Sequence, residues 1–313
     1  MAFRYINPGY VSLLDNDVTA TEVTGTTYSR TGTGFSQTNS AAGITIPHFA
    51  SGDDFWAKFD AYIPSGSSSN IYCYMPNSYK VGFEINVYDS GENSIYIICH
   101  YSNNNRQIMI NGTAEYLGMR RGAINEFLIH IVPGTSATAR LDLWINGNNF
   151  SQSGLQMLYS DSYSKIAILY SSNQNVIFSN VIFSDEEIFQ RERIIALPIL
   201  STETNMTFDA SELYIANAAN QTLLQTPDVA SLITDYGANS TITGVAVVGN
   251  PAYKTGTGIT TLTGLSKSGG VISEHNSCNL SEETLSTAMS GWTLQNTALT
   301  DLQNRQFGWK AGE

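Results

Sequence analysis

From position 53 onward, apolar and polar residues alternate: Phe55, Ala57, Phe59, Ala61 and Ile63 in one phase, Trp56, Lys58, Asp60 and Tyr62 in the other. A period of two sends successive side chains to opposite faces, so the run predicts a strand with one buried face. The pattern returns as Ile71, Cys73 and Met75 against Tyr72 and Tyr74, and as Val81, Phe83, Ile85 and Val87 against Lys80, Glu84, Asn86 and Tyr88. Ile95, Ile97 and Cys99 then alternate with Tyr96 and His100. Between Glu126 and Ile145 two further strands flank a Pro133-Gly134 loop: Phe127, Ile129 and Ile131 against Leu128 and His130, then Leu141, Leu143 and Ile145 against Arg140, Asp142 and Trp144. Asn146-Gly147 closes the second as a turn dipeptide. Segments 165–170 and 176–183 supply two more strands. Consecutive one-faced strands joined by turns predict a sandwich of antiparallel sheets.

The grammar changes near position 195. Ser184-Asp-Glu-Glu187 reads as a capping box for a short helix from about Asp185 to Ile195, ending near Pro198. Beyond it, residues 204–225 read as short strands. Thr226-Pro-Asp228 places an N-cap, an N1 proline and an acidic residue before a helix Val229–Tyr236 closed by Gly237. A strand from Thr241 to Val248 ends at Gly249-Asn-Pro251, residues 255–270 read as turns or a loose strand pair, and a second short helix is expected after Ser281. The stretch from Trp292 to the last residue is polar with isolated Trp292, Phe307 and Trp309, a composition that docks on a partner or folds back more often than it forms a core. The expected organisation is a β-sandwich with an N-terminal arm over 1–195 and a smaller β-rich α+β domain over 196–313. No repeat of fixed period connects the two.

Composition narrows the classes. Over 313 residues, 42% hydrophobic, 11% aromatic and 13% charged residues can build cores and are poor in helix-forming charge. The net charge of -12 is spread over both parts, 11 basic against 17 acidic residues before position 196 and 4 against 10 after it. With no basic stripe to release counterions, the chain is not expected to track nucleic acid. Cys73, Cys99 and Cys278 cannot all pair in one chain, and Cys73 and Cys99 fall in the apolar phase, so buried free thiols are expected. No basic leader precedes an apolar run and no stretch of about 18 apolar residues occurs, so neither classical export nor membrane insertion is expected.

Three passages carry a family resemblance. Phe55-Trp-Ala-Lys-Phe-Asp-Ala-Tyr-Ile-Pro64, the hairpin Ile129-His-Ile131 through Leu141-Asp-Leu-Trp-Ile-Asn-Gly147, and Val176 to Ile188 resemble, in order and spacing, the concanavalin A-like, laminin-G-type lectin sandwich over about residues 20–195. The resemblance implies an antiparallel jelly-roll sandwich and says little of ligand. The opening Phe3-Arg-Tyr-Ile-Asn-Pro-Gly9, together with Thr226–Gly237 and Gly249-Asn-Pro-Ala-Tyr253, resembles virion proteins of tailed bacteriophages or prophages. It implies a chain made in a host cytoplasm that acts outside cells as part of a virion.

Candidate chemistry follows. Some relatives of the lectin sandwich are glucanases with two or three alternating carboxylates on one strand, a nucleophile and an acid/base about 5 Å apart. In Glu84-Ile-Asn-Val-Tyr-Asp89 only Glu84 holds such a position, because Asn86 replaces the second acid and Asp89 is out of phase. No catalytic residue is assigned and the chain is not expected to be an enzyme. Sugar binding needs less: rings stack on a pyranose while amides, acids and guanidinium fix its hydroxyls. The non-core phases offer Tyr72, Tyr74, Glu84, Asn86, Tyr88, Tyr96, Arg140, Asp142 and Trp144, with His100 beside them, as one polar aromatic groove. Such residues also cover sheets and line subunit contacts.

Calcium is common in laminin-G-like relatives. The tight acidic clusters here, Asp53-Asp54 and Asp185-Glu-Glu187, read as a strand start and a helix cap, so no metal and no cofactor is assigned. His48, His100, His130 and His275 sit beside no nucleophile. Gly32-Thr-Gly34 and Gly256-Thr-Gly258 read as turns.

The expected function is therefore that of a virion-associated tail or appendage protein whose lectin-like domain binds host-surface glycan. The expected partners are further copies of the chain, with a trimer favoured, and other virion proteins, with no membrane and no nucleic acid. A purely structural decoration protein and a glycan hydrolase with another constellation stay open as alternatives.

Overall fold

Alternation resolves into antiparallel sheets in a computed structural model, which describes residues 4–7, 9, 14, 20–37, 44–45, 54–66, 69–75, 81–87, 94–102, 105–113, 117–132, 134, 137–154, 166–172, 175–189, 192, 194–195, 197–208, 214–252, 254, 258–280 and 286–313. Contacts divide the chain into two units, Tyr5–Ile194 and Ile195–Glu313, with Arg4 grouped with the second.

Fourteen strands are described up to Ser184: β1 Arg4–Asn7, β2 Ala20–Thr24, β3 Thr33–Gln37, β4 Ile44–Thr45, β5 Phe55–Ile63, β6 Ser69–Met75, β7 Val81–Val87, β8 Ser94–Ser102, β9 Asn105–Thr113, β10 Ala123–Val132, β11 Arg140–Ile145, β12 Asn148–Ser153, β13 Ile166–Ser171 and β14 Ile177–Ser184. One sheet has the order β12-β11-β10-β5-β14-β3-β2, with β1 on β14, and the other β4-β13-β6-β7-β8-β9. Their apolar phases are buried: Phe55, Ala57, Phe59, Ala61 and Ile63 of β5 with Phe127, Ile129 and Ile131 of β10, and Ile71, Cys73, Phe83 and Ile85 of β6 and β7. Phe59 and Phe127 stack at 5.0 Å. The result is the antiparallel β-sandwich that the alternation predicts.

Asn146 and Gly147 take φ values of 50° and 91°, the left-handed pair a two-residue hairpin needs between β11 and β12. The Asn146 side chain donates to the Gly118 carbonyl at 2.7 Å and accepts the Glu126 N–H at 2.8 Å, fixing the turn to two other segments.

The expected helix after Ser184 does not form. Residues 185–189 are bends and irregular chain, and Ser184 Oγ accepts the Glu186 N–H. The reason lies in packing: Ile188 is buried with Leu128 and Ile182, Ile194 packs on the same cluster, and the Ile194 N–H donates to Asn180 Oδ1 at 2.9 Å. Asn180 itself sits at φ 52° in a bulge of β14. These anchors draw the chain over the sheet and outweigh the local capping signal.

In the second unit, β15 Ile199–Thr204, β16 Thr207–Phe208, β17 Tyr214–Ile215 and β18 Thr222–Pro227 precede α1 Ala230–Tyr236; β19 Thr241–Ala252, β20 Thr261–Ser268, β21 Val271–Asn279, β22 Ser286–Ala298 and β23 Arg305–Gly312 follow, with a 3-10 turn at Leu299–Asn304. A five-stranded sheet runs β15-β18-β23-β20-β21, while β19 pairs with β22 and β16 with β17. Trp292, Leu294 and Phe307 pack with Val229, Leu232, Leu299 and Leu302 into one core cluster.

Several sequence expectations are corrected here. Pro227 ends a strand and α1 begins three residues later, with Asp228 Oδ1 accepting the Ala230 N–H. The strand from Thr241 continues past Gly249 to Ala252 through a register shift. The final residues are central, because β23 lies third in the five-stranded sheet and buries Phe307, Trp309 and Ala311. The helix expected after Ser281 begins outside the described residues, and from Ser286 the chain is a strand.

Candidate functional site

The nine candidate residues do not share one groove. Arg140, Asp142 and Trp144 belong to the eight-stranded sheet; Tyr72, Tyr74, Glu84, Asn86 and Tyr96 belong to the six-stranded one. Tyr88 lies outside the described residues. Alternation assigns a residue to a phase but not to a sheet, so the sequence pattern merges two separate non-core faces.

The non-core face of the eight-stranded sheet is largely enclosed. Register places Asp142, His130 and Trp56 in one row and Trp144, Leu128, Lys58 and Ile182 in the next. The His130 ring stacks on Trp56 at 3.8 Å, and Trp144 lies parallel to Trp56 at 6.2 Å. Leu128, Ile182 and Ile188 close over this stack as a small second core. Beside it, Lys58 and Asp60 are fully buried. Lys58 Nζ lies 3.2 Å from Glu126, and Arg30 bridges Glu126 at 3.3 Å and Asp60 at 3.5 Å. A buried lysine is tolerable only with such partners.

Asp142 completes this arrangement. Its carboxylate meets Arg140 Nε at 2.7 Å and His130 Nδ1 at 3.4 Å, and His130 Nε2 meets Asp54 at 2.9 Å. Burial pushes the Asp142 carboxyl up, but hydrogen bonds with His130 and Ser151 and the charge and hydrogen bond of Arg140 outweigh it and hold the group below the usual carboxylate range. Asp142 is 3% exposed and already occupied by protein partners. The chemistry of this face is that of a structural ion pair network.

The six-stranded sheet is different. Tyr72 and Glu84 alternate with buried Ile71, Cys73, Phe83 and Ile85, which puts them on the face away from the core, directly opposite each other, with Tyr72 half-buried and Glu84 8% exposed. Asn70 Nδ2 donates to the Tyr72 hydroxyl at 3.0 Å and approaches Glu84 Oε1 at 3.5 Å. Asn70 joins the candidate residues of this face; the alternation does not single it out, although it shares the phase of Tyr72 two residues earlier. The registers align one row of Asn70, Asn86, Tyr96 and Asn111, a second of Tyr170, Tyr72, Glu84 and Ile98, and a third of Tyr74, Gly82 and His100. Amide, phenol, carboxylate and imidazole residues thus occupy neighbouring positions on one sheet face, with glycine in the third row.

Burial pushes the Cys73 thiol up to about 12 and the Cys278 thiol to about 11, so neither is a nucleophile at neutral pH. Among the described residues no group of three His, Cys, Asp or Glu side chains could hold a metal ion. His275 stacks on Trp292 at 3.8 Å and shares a hydrogen bond with Ser266 Oγ at 2.8 Å; burial lowers its pKa.

No family model matches the chain, and no curated protein matches it. Among solved structures, similar chains include an endo-beta-1,4-glucuronan lyase from the fungus Trichoderma reesei (14% identity, 57% of this chain and 94% of that one, TM-score 0.38). Others are the galectin LEC-6 of Caenorhabditis elegans (11%, 58% and 94%, TM-score 0.31) and the CBM2 module of the evolved Dit of Lactobacillus casei BL23 phage J-1 (10%, 59% and 92%, TM-score 0.33). At these scores the likenesses decide neither ligand nor chemistry, which rest on the residues above.

Proposed function

We propose that this protein binds carbohydrate through the non-core face of the six-stranded sheet. The observation that carries the reading is the three-row arrangement around Tyr72 and Glu84, where phenol and amide residues recur on adjacent strands. Rings on such a face stack on the apolar side of a pyranose, and the Asn70–Tyr72–Glu84 hydrogen bonds hold polar atoms in position for its hydroxyls. On the opposite sheet Leu128, Ile182 and Ile188 pack against Trp56 and Trp144, which leaves those rings less surface to offer a sugar.

Binding without cleavage is the form of activity proposed. Paired-carboxylate hydrolysis needs two acids roughly 5 to 9.5 Å apart. In the second row Glu84 has Tyr72 and Ile98 as its cross-strand neighbours, and Asn86 holds the next same-face position along the strand. A glycan array with the full chain, followed by incubation of the best ligand with excess protein, tests both parts. The expected result is retention of one glycan class with no new reducing ends and no unsaturated products. Absence of binding across the array overturns the reading, and product release converts it to an enzyme.

The setting proposed is the virion of a tailed phage or prophage, with the glycan on the host surface. What supports it is the sequence resemblance of residues 3–9, 226–237 and 249–253. Detection of the chain by mass spectrometry in purified particles is the expected outcome, and its absence from particles of a producing host contradicts the setting.

A further inference from the structure

The polar groups of the Tyr72 face have a direction. As a carboxylate Glu84 accepts hydrogen bonds and donates none, so the end of the Asn70 amide that approaches it is Nδ2. Asn70 Nδ2 donates to the Tyr72 hydroxyl at 3.0 Å and lies 3.5 Å from Glu84 Oε1. Both amide hydrogens are thereby engaged within the protein. Asn70 Oδ1, which accepts no hydrogen bond among the described residues, is the end left to a ligand.

Asn70 is also fixed in place. Its N–H donates to Ser172 Oγ at 2.9 Å and its carbonyl accepts the Ser172 N–H at 2.9 Å, so the residue following β13 clamps it on both backbone groups. Half-buried Asn70 and Tyr72 lie beside a carboxylate that is itself almost buried. At such a position the charge of Glu84 is less screened than that of a surface acid, and it acts on a ligand that touches only its two neighbours.

Charge across the sheet points the same way. The six strands contain two residues of fixed charge, Glu84 on the inner strand β7 and Arg106 on the edge strand β9, where it stands opposite His100 in the next row. The chain as a whole carries 27 acidic against 15 basic residues, a balance that repels a polyanion before contact.

We infer that this face takes glycans that offer hydrogen-bond donors and carry no anionic group, neutral hexose chains in particular, and refuses polymers of uronic or sulfated sugars; the inference rests on the carbohydrate-binding reading above. A neutral pyranose meets Asn70 Oδ1 and the Glu84 carboxylate with its hydroxyl protons, and the bond to the carboxylate is charge-assisted. A uronate brings acceptor oxygens and negative charge to the same two acceptors. Neither is then paired, and like-charge repulsion is added.

A matched pair of ligands tests this: the neutral hexose chain retained most strongly on the array, and the same chain oxidised at its primary hydroxyls to carboxylates, with linkage and length unchanged. In calorimetric titration of the full chain, the oxidised form is expected to bind at least tenfold more weakly at about 20 mM salt, and the ratio is expected to shrink at about 500 mM, where the repulsion is screened. In Glu84→Gln, which keeps the shape and removes the charge, the low-salt ratio is expected to fall to about threefold or less. The salt series of the wild type reads the same repulsion without a substitution. Equal or tighter binding of the oxidised form overturns the inference, and loss of that binding in Arg106→Ala then locates the anion at the sheet edge. A ratio that neither salt nor Glu84→Gln alters also overturns it, since the cost then lies in shape. So does an array that retains acidic glycans only. All of these leave the carbohydrate-binding reading in place, whereas an array that retains no glycan removes the reading and the inference together.

Discussion

Lys58 is fully buried on the sheet face away from the sandwich core, 3.2 Å from Glu126 and one register pair from the buried Asp60. Removing one partner of such a network strands the others in a low-dielectric site. Lys58→Met is therefore expected to lower the stability of the Tyr5–Ile194 unit by about 3 kcal/mol, read by denaturant unfolding; a neutral effect shows that the carboxylates are solvated. His275 makes a second residue-scale prediction. Its folded pKa lies below its ordinary value of 6.5 because burial disfavours the imidazolium, and its Nδ1 makes no hydrogen bond among the described residues. Below pH 6.5 the unfolded chain takes up the proton before the folded one, so stability falls as pH falls from 6.5 toward the depressed value and is constant above that window. Thermal unfolding of the full chain between pH 7.5 and 5.5 is expected to show this loss in the transition of the Ile195–Glu313 unit, and His275→Gln is expected to flatten it. An unchanged slope in the variant assigns the loss to other groups.

At the scale of elements, the strap from Asp185 to Ile194 and the bulge at Asn180 depend on one another. Asn180 accepts the Ile194 N–H, approaches Asp60 at 3.4 Å, and holds a left-handed backbone. Asn180→Ala is expected to cost about 2 kcal/mol from the lost bonds and the strained φ. Asn180→Gly, which relaxes the backbone, is expected to recover only part of that; full recovery by glycine, seen in denaturant unfolding, places the whole cost in the backbone. This element also shows where sequence reading stops. The one-faced strands β5 to β8, β10 and β11 are legible because burial on one side imposes strict alternation. The polar outer strand β9, with Asn105, Arg106 and Gln107 in succession, and the hairpin return β12, with Asn148 and Asn149, carry no such signature. Ser184-Asp-Glu-Glu187 has the residues of a helix start, but the apolar anchors Ile188 and Ile194 belong to a cluster assembled from β10, β5 and β14, which is invisible locally. Of the candidate site, the polar phases were legible and their division between two sheets was not, because strand order is a property of pairing and not of period.

At the scale of the whole molecule, the proposed function gives glycan contact to one sheet face of the Tyr5–Ile194 unit. Single sugar contacts are weak, and several binding faces presented together raise avidity by orders of magnitude without any new contact. Display of the chain in several copies on one bead is then expected to raise its retention on glycan-coated surfaces while its affinity for soluble glycan stays unchanged. Equal surface retention by the single chain and the multivalent display, measured by biolayer interferometry, contradicts weak single-site binding.

The central claim is that glycan contacts the Tyr72 face and not the Trp144 face. Calorimetric titration of the glycan selected by the array, using wild type, Tyr72→Ala and Arg140→Ala, tests it most directly. Tyr72→Ala, which removes the ring and the Asn70 hydrogen bond, is expected to weaken binding tenfold or more, about 1.4 kcal/mol, while Arg140→Ala leaves affinity unchanged. Loss of binding in Arg140→Ala with full binding in Tyr72→Ala contradicts the assignment.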